Sequence, residues 1–284
     1  MLQSFELIRP RNIEAALAVM AGGSATPLAG GTDLLVRIKK GLLAPEKVVD
    51  LSALDELGGI RETGDQIVIG PLITHGEVME SDLANRYLPL LVQGCATVGS
   101  PQIRNMGTLG GNIVNASPAA DSIPPLIVLE TEVILQSLAG KREMRLEEFI
   151  TGPGKTQLRA GELLTGIVIN KMKAGERGLY RKLGQRKALA VSIASVAVRM
   201  EFDPATGVCS NAGIAFGAAV PVIRRVRELE ALLCGRKLDE QAIGEIAGKA
   251  RDLCAPISDI RGSAEYRRAM CSSLLYEVLY ELNR

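Results

Sequence analysis

The sequence predicts an α+β protein of two domains, and three observations predict it. Residues 1–55 alternate a helical stretch with short apolar pieces, the texture of a small α/β unit. Ala190 to Phe202 and Val208 to Ala218 are rich in small and β-branched residues and flank Asp203-Pro204-Ala205-Thr206-Gly207, a turn sequence that makes the pair a long hairpin. Three helical stretches then close the chain, so the second domain reads as a sheet covered by helices on one side.

The elements follow in order. Asn12 to Met20 has Ile13, Ala16, Leu17 and Met20 at i, i+3, i+4 and i+7, with Asn12 as the N-cap and Gly22-Gly23 as the stop. Pro27 to Ala29 runs into Gly30-Gly31-Thr32-Asp33, and Leu34 to Ile38 is a second apolar stretch. Val48 to Leu51 and Ile67 to Ile69 read as short buried strands. Leu83 to Cys95 reads as one helix, with Leu83, Tyr87, Leu90, Leu91 and Cys95 sharing a face. Glu132 to Leu138 and Leu163 to Asn170 are strands. Lys171 to Gly178 is polar and glycine-bearing and marks the boundary between a domain 1–172, with subdomains 1–55 and 56–172, and a domain 178–284. The closing helices are Val226 to Cys234, Asp239 to Leu253 and Ser263 to Leu282.

Composition narrows the function. The 284 residues carry 33 Lys and Arg against 32 Asp and Glu, a balance that argues against a nucleic-acid binder. No apolar run approaches a membrane span, the best being Ala188 to Val198, and Met1 to Pro10 lacks a signal-peptide core. The expectation is a cytoplasmic protein. The five cysteines are widely spaced with no C-x-x-C pair, which speaks against a metal or iron–sulfur site in this chain. His75 is the only histidine, which excludes a serine triad or a multi-histidine metal site, and it reads as a polar residue near a loop.

Thirty glycines are the remaining puzzle, and two segments concentrate them. Leu28-Ala29-Gly30-Gly31-Thr32-Asp33-Leu34 places two glycines after a strand, where N–H groups can converge on an anion such as a diphosphate, or where the chain simply turns tightly. Val98 to Ile113 carries Gly107, Gly110 and Gly111 with Thr108 and Asn112, and continues to Asp121, whose carboxylate could hold a sugar or ribityl hydroxyl. No G-x-G-x-x-G follows a strand, so a Rossmann site is disfavoured. Gly152 to Thr156 lacks the first glycine of a phosphate loop, Phe149 standing in its place. Tyr180-Arg181-Lys182 with Arg186-Lys187 is a basic cluster, either a solvated face or a cation near an electron-rich flavin ring.

These residues carry a resemblance. AGGTDL (Ala29 to Leu34) with QIRNMGTLGGNIVNASPAAD (Gln102 to Asp121) resembles the FAD-binding subunit of molybdenum hydroxylases, the xanthine dehydrogenase family, along essentially the whole chain. Thr151 to Lys155 and Ile257 to Arg268 look most like the xanthine dehydrogenase branch. The resemblance implies a vanillyl-alcohol-oxidase-like (PCMH-like) FAD-binding domain, followed by a sheet-plus-three-helix flavoprotein C-terminal domain. It implies that Pro27, Leu28, Ala29, Gly30, Gly31, Thr32, Asp33 and Leu34 wrap the diphosphate of non-covalent FAD. Val98, Thr108, Gly110, Gly111, Asn112 and Asp121 would hold the ribityl and adenosine parts, and Leu163 or Leu164, with Lys182, would lie beside the flavin. Partner subunits of a heterotrimer would carry the molybdenum-pterin centre and 2Fe-2S clusters, feeding electrons to FAD and on to NAD⁺ or another acceptor. No cysteine lies between Cys95 and Cys209, so the extra 4Fe-4S cluster of one family subgroup is absent. Two other readings stay open: a self-contained flavin oxidoreductase of the same fold, and a non-catalytic nucleotide-binding scaffold.

Overall fold

The computed structural model describes residues 4–186 and 189–284. Lys187 of the expected basic cluster, Ala188 at the head of the best apolar run, and residues 1–3 of the amino-terminal segment lie outside them.

The first unit contains β1 (Glu6–Ile8), α1 (Ile13–Ala21), β2 (Ala25–Leu28), α2 (Leu34–Lys39) and β3 (Lys47–Asp50), its strands parallel in the order β1-β3-β2. Asn12 caps α1, its side-chain oxygen accepting from the Ala15 N–H at 2.9 Å. Ile13, Ala16, Leu17 and Met20 are the buried residues of that helix, as their spacing requires. They pack on Val49, Leu51, Leu54, Leu57 and Leu163, each large apolar side chain contributing about 1.5–3 kcal/mol by burial.

The second unit begins with β4 (Ile60–Thr63) and β5 (Gln66–Ile69) and continues through six short helices: α3 (His75–Glu80), α4 (Asp82–Tyr87), α5 (Pro89–Ala96), α6 (Pro101–Arg104), α7 (Leu109–Asn115) and α8 (Ile123–Val128). It closes with β6 (Glu132–Ser137), β7 (Gly140–Arg145), α9 (Leu146–Phe149), the hairpin β8 (Ile150–Gly152) and β9 (Lys155–Thr156), and β10 (Leu163–Asn170). The sheet is antiparallel in the order β4-β5-β10-β6-β7. The helix expected over Leu83 to Cys95 is two helices. Pro89 has no N–H to continue α4, and Leu88 leaves helical geometry at φ −130°. Gly152 to Thr156 is the small hairpin, with Gly154 at φ +66°.

The third unit is an antiparallel sheet of β11 (Glu176–Leu183), β12 (Ala194–Phe202) and β13 (Cys209–Gly217), followed by α10 (Arg227–Leu233), α11 (Glu240–Leu253) and α12 (Ala264–Leu282). Asp239 and Ser263 cap the last two helices. Strand β11 begins inside the polar stretch read as the domain boundary. Side chains alternate across this sheet. Leu179, Val196, Val198, Ile214 and Phe216 face the three helices, whereas Tyr180, Ala197 and Ala215 enter the core of the second unit. Helices α5 and α8 cover that second face. Burial on both sides explains why β12 reads as an almost unbroken apolar run.

Candidate functional site

A cleft of about 380 Å³ opens between the first and second units, within the size range of cofactor sites. One wall comes from β2 and the turn after it: Thr26, Pro27, Ala29, Gly30, Gly31, Thr32, Asp33, Leu34 and Arg37. The opposite wall comes from the second glycine segment: Val98, Ile103, Gly107, Thr108, Gly110, Gly111 and Asn112. Leu57, Leu72, Val114, Leu158, Leu163 and Leu164 give it an apolar floor. Fourteen of the seventeen expected contacts therefore line one cavity.

The two glycine turns do different work. Gly30 exists because the turns touch: a Cβ there would stand 1.6 Å from the Met106 carbonyl oxygen. Gly31 sits at φ +72°, a conformation that costs a side chain about 1–2 kcal/mol. Beyond them, the N–H groups of Gly30 through Leu34 carry no hydrogen bond within the described chain, so five unspent donors belong to residues that line the cleft. In the second turn four of the donors are spent. Leu109 N–H donates to the Ile73 carbonyl, Gly110 to Pro71, Gly111 to Thr108 Oγ1 and Asn112 to the Thr108 carbonyl. Gly110 is also the point of closest approach to Pro71, where a Cβ would meet backbone at 2.6 Å. The two turns thus differ: the first keeps its N–H donors unspent at the cleft edge, whereas in the second Gly110 packs against Pro71 and Gly111 borders the cleft.

Three expected contacts stand off the cleft wall. The Leu28 side chain packs beneath Gly31. Asp121, expected to hold a sugar hydroxyl, already has both oxygens engaged: Oδ1 accepts from Tyr180 at 3.0 Å and Ser192 at 2.5 Å, and Oδ2 pairs with Lys182 at 2.5 Å. Burial pushes the Asp121 carboxyl up, against the pull of Lys182 and the two hydroxyls. Lys182, expected beside the flavin, spends its ammonium on Asp121 and on the Thr97 carbonyl at 2.9 Å, one residue behind the lining Val98. The basic cluster is likewise no patch. Tyr180 and Lys182 point inward from β11, while Arg181 points outward to Glu277 and Glu281 of α12.

Residues that sequence reading left aside are Arg37 and His75. Arg37 lies one turn along α2 from the free N–H groups, and its ion pair with Asp33 is long, 3.9 Å, and exposed, hence weak. Its signal was the basic residue inside the apolar Leu34 to Ile38 stretch. His75 stands where a loop meets a helix. It opens α3, is 2% exposed, lines the cleft, and its N–H donates to the Gly107 carbonyl at 3.0 Å. Burial, with the Arg104 charge adding to it, pulls His75 down to about 4, so the imidazole is neutral at pH 7.

An anion cradle, a nearby guanidinium and a long apolar floor fit a phosphorylated cofactor with a flat apolar part. No group of carboxylate, cysteine and histidine side chains that could hold a metal exists among the described residues. No helix of the described residues is long and apolar enough to cross a membrane.

Similarity to known proteins assigns the family. Residues 3–171 match the FAD binding domain in molybdopterin dehydrogenase, and residues 179–282 match the CO dehydrogenase flavoprotein C-terminal domain. The chain is 32% identical over 279 residues to the glyceraldehyde dehydrogenase medium chain of Sulfolobus acidocaldarius, covering 98% of each. It is 30% identical over 256 residues to a putative xanthine dehydrogenase FAD-binding subunit of Escherichia coli, covering 89% of this chain and 87% of that one. Its fold superposes with a TM-score of 0.95 and 30% identity on carbon monoxide dehydrogenase from Hydrogenophaga pseudoflava, over 99% of this chain and 98% of that one. The double glycine segment, the cleft it builds and the appended sheet-and-helix unit place this chain in the family of FAD-binding subunits of molybdopterin dehydrogenases.

Proposed function

We propose that this chain is the flavin-bearing electron relay of a molybdenum hydroxylase, one subunit of a heterotrimer whose other subunits carry the molybdenum-pterin centre and the 2Fe-2S clusters. Bound FAD supplies the redox chemistry, and the chain supplies binding, orientation and a dry site. The N–H groups of Gly30 to Leu34 and the Arg37 guanidinium hold the diphosphate. Leu57, Leu72, Leu163 and Leu164 exclude water from the apolar part of the cleft. No side chain of the cleft is arranged as a nucleophile with a base, which fits a subunit whose task is electron transfer.

The observation that carries this reading is the row of unpaired N–H groups on the same wall that the family model covers. Level identities to relatives named for glyceraldehyde and xanthine suit a chain whose holoenzyme meets substrate in another subunit. NAD⁺, named among the acceptors expected above, draws no support from these relatives. The five unpaired cysteines suit a reducing compartment such as the cytoplasm.

Purification of the chain alone and with coexpressed partner subunits tests the proposal. Flavin should copurify with the chain or bind on addition. Anaerobic substrate should reduce that flavin only when the partners are present. Substrate reduction of the flavin in the isolated chain would favour a self-contained oxidoreductase. Nucleotide binding without a flavin ring would favour a scaffold.

A further inference from the structure

Two buried side chains remain without a task in the account above. His75 Nδ1 lies 3.5 Å from Cys95 Sγ, its one side-chain partner among the described residues. Cys95, on α5, is fully buried. The other edge of the ring faces the seam where the two glycine turns meet. The Cβ position of Gly107 is 3.6 Å from His75 Cδ2 and 3.3 Å from Thr32 Oγ1, and Cδ2 adjoins Nε2 in the ring. The ring is 2% exposed, and its Nε2, without a protein partner among the described residues and not sealed from solvent, opens on the cleft that His75 lines, where a ligand can meet it.

We propose that Cys95 fixes His75 as a neutral imidazole protonated on Nε2, and that this N–H is a further hydrogen-bond donor to the diphosphate held by Gly30 to Leu34. The proton inventory sets the tautomer. Burial pushes the Cys95 thiol up, so its proton stays on sulfur and needs an acceptor. An imidazole nitrogen accepts far better than a thiol, so S–H donates to Nδ1 and the ring proton sits on Nε2. The opposite tautomer would aim a lone pair at a phosphate oxygen, which only accepts. The ring is held in place from its backbone, because the His75 N–H donates to the Gly107 carbonyl and Leu109 donates to that of Ile73. Cys95 is accordingly a positioning residue, and His75 the group that touches the cofactor.

This inference rests on the FAD reading, and the test separates the two. His75 is the sole histidine, so ring-nitrogen NMR of the ¹⁵N-labelled full chain gives one unambiguous pair of signals. The expected result at pH 7 is a protonated Nε2 and a bare Nδ1, with the Nε2 signal moving on addition of FAD. A bare Nε2, an averaged pair, or an Nε2 signal indifferent to bound FAD overturns the inference. Chain that binds no FAD overturns the underlying reading as well. Variants give the second arm. Gln places an amide N–H near Nε2, whereas Asn reaches only as far as Nδ1. His75→Gln should hold FAD within about threefold of the parent, while His75→Asn should lose about tenfold or more and shift the ³¹P signals of the bound diphosphate. Equal losses in both variants with unmoved ³¹P signals overturn it. Cys95→Ala should leave FAD bound while the two ring nitrogens move toward an averaged pair, and an unchanged tautomer there rejects the role of the thiol.

Discussion

Acid should destabilise this protein through His75 well before the carboxylates held low by partners titrate. The ring sits at about 4 in the folded chain and near 6.5 when unfolded. The folded value is the lower one, so the unfolded chain binds the extra proton, and stability is lost as pH falls from about 6.5 to about 4. Each pKa unit corresponds to about 1.4 kcal/mol, so the full loss is about 3 kcal/mol, of which about 2 kcal/mol falls between pH 7 and pH 5. The carboxyls held low by partners, Asp50 by Ser52 and Arg9 and Glu162 by Arg142, lose their contribution only below about pH 4.5. Urea unfolding of the full chain at pH 7, 6 and 5, followed for the His75→Gln variant in parallel, isolates the effect. Across that range the parent should lose about 2 kcal/mol more than the variant, the raised Asp121 carboxyl being common to both. Equal slopes for the two proteins, or a histidine pKa above 6 by NMR, would refute the reasoning.

Other expectations concern the turns and the seam between units. Gly30→Ala drives a methyl into the Met106 carbonyl, so it should part the two turns and remove FAD binding by fluorescence titration, with α10 to α12 still folded by circular dichroism. Gly111→Val should also remove FAD, because its side chain meets Thr108 Oγ1 at 2.9 Å and otherwise projects into the cleft; undiminished occupancy would misplace that wall. Asp121→Ala strands the buried Lys182 ammonium and should cost about 3–5 kcal/mol of stability, largely restored by adding Lys182→Met; a stable single variant with weakened FAD would return Asp121 to the ligand set.

Sequence periodicity was enough for the regular elements. Helix α1 and the closing helices were legible because one face of each is buried and the caps Asn12, Asp239 and Ser263 are strong signals, and the hairpin β12–β13 because both faces are buried and a strong turn joins its strands. The two-residue rhythm of β11 was hidden in Tyr180-Arg181-Lys182, where a buried tyrosine and a buried lysine share a face that only Asp121 explains. The break at Leu88 needed the weight of Pro89 inside an otherwise helical pattern. At the site, the residues of both glycine segments were legible by composition, but their division of labour was not. Spacing cannot say whether a glycine makes room for a ligand or for a carbonyl from another turn. The contact between Gly30 and Met106 spans 76 positions of sequence and exists only once the two units meet. The surroundings of His75 were hidden for a related reason: Cys95 behind it and the Gly107 seam before it are not its neighbours in sequence.

The central claim is that the turn from Gly30 to Leu34 holds FAD in the cleft between the first two units. Its most direct measurement is an FAD titration of flavin-stripped full chain beside the Gly30→Ala chain, read by quenching of flavin fluorescence. The account predicts saturable, stoichiometric and non-covalent binding by the parent chain, released on unfolding, and none by the variant. Absence of binding by the parent chain, or equal binding by both, would contradict it.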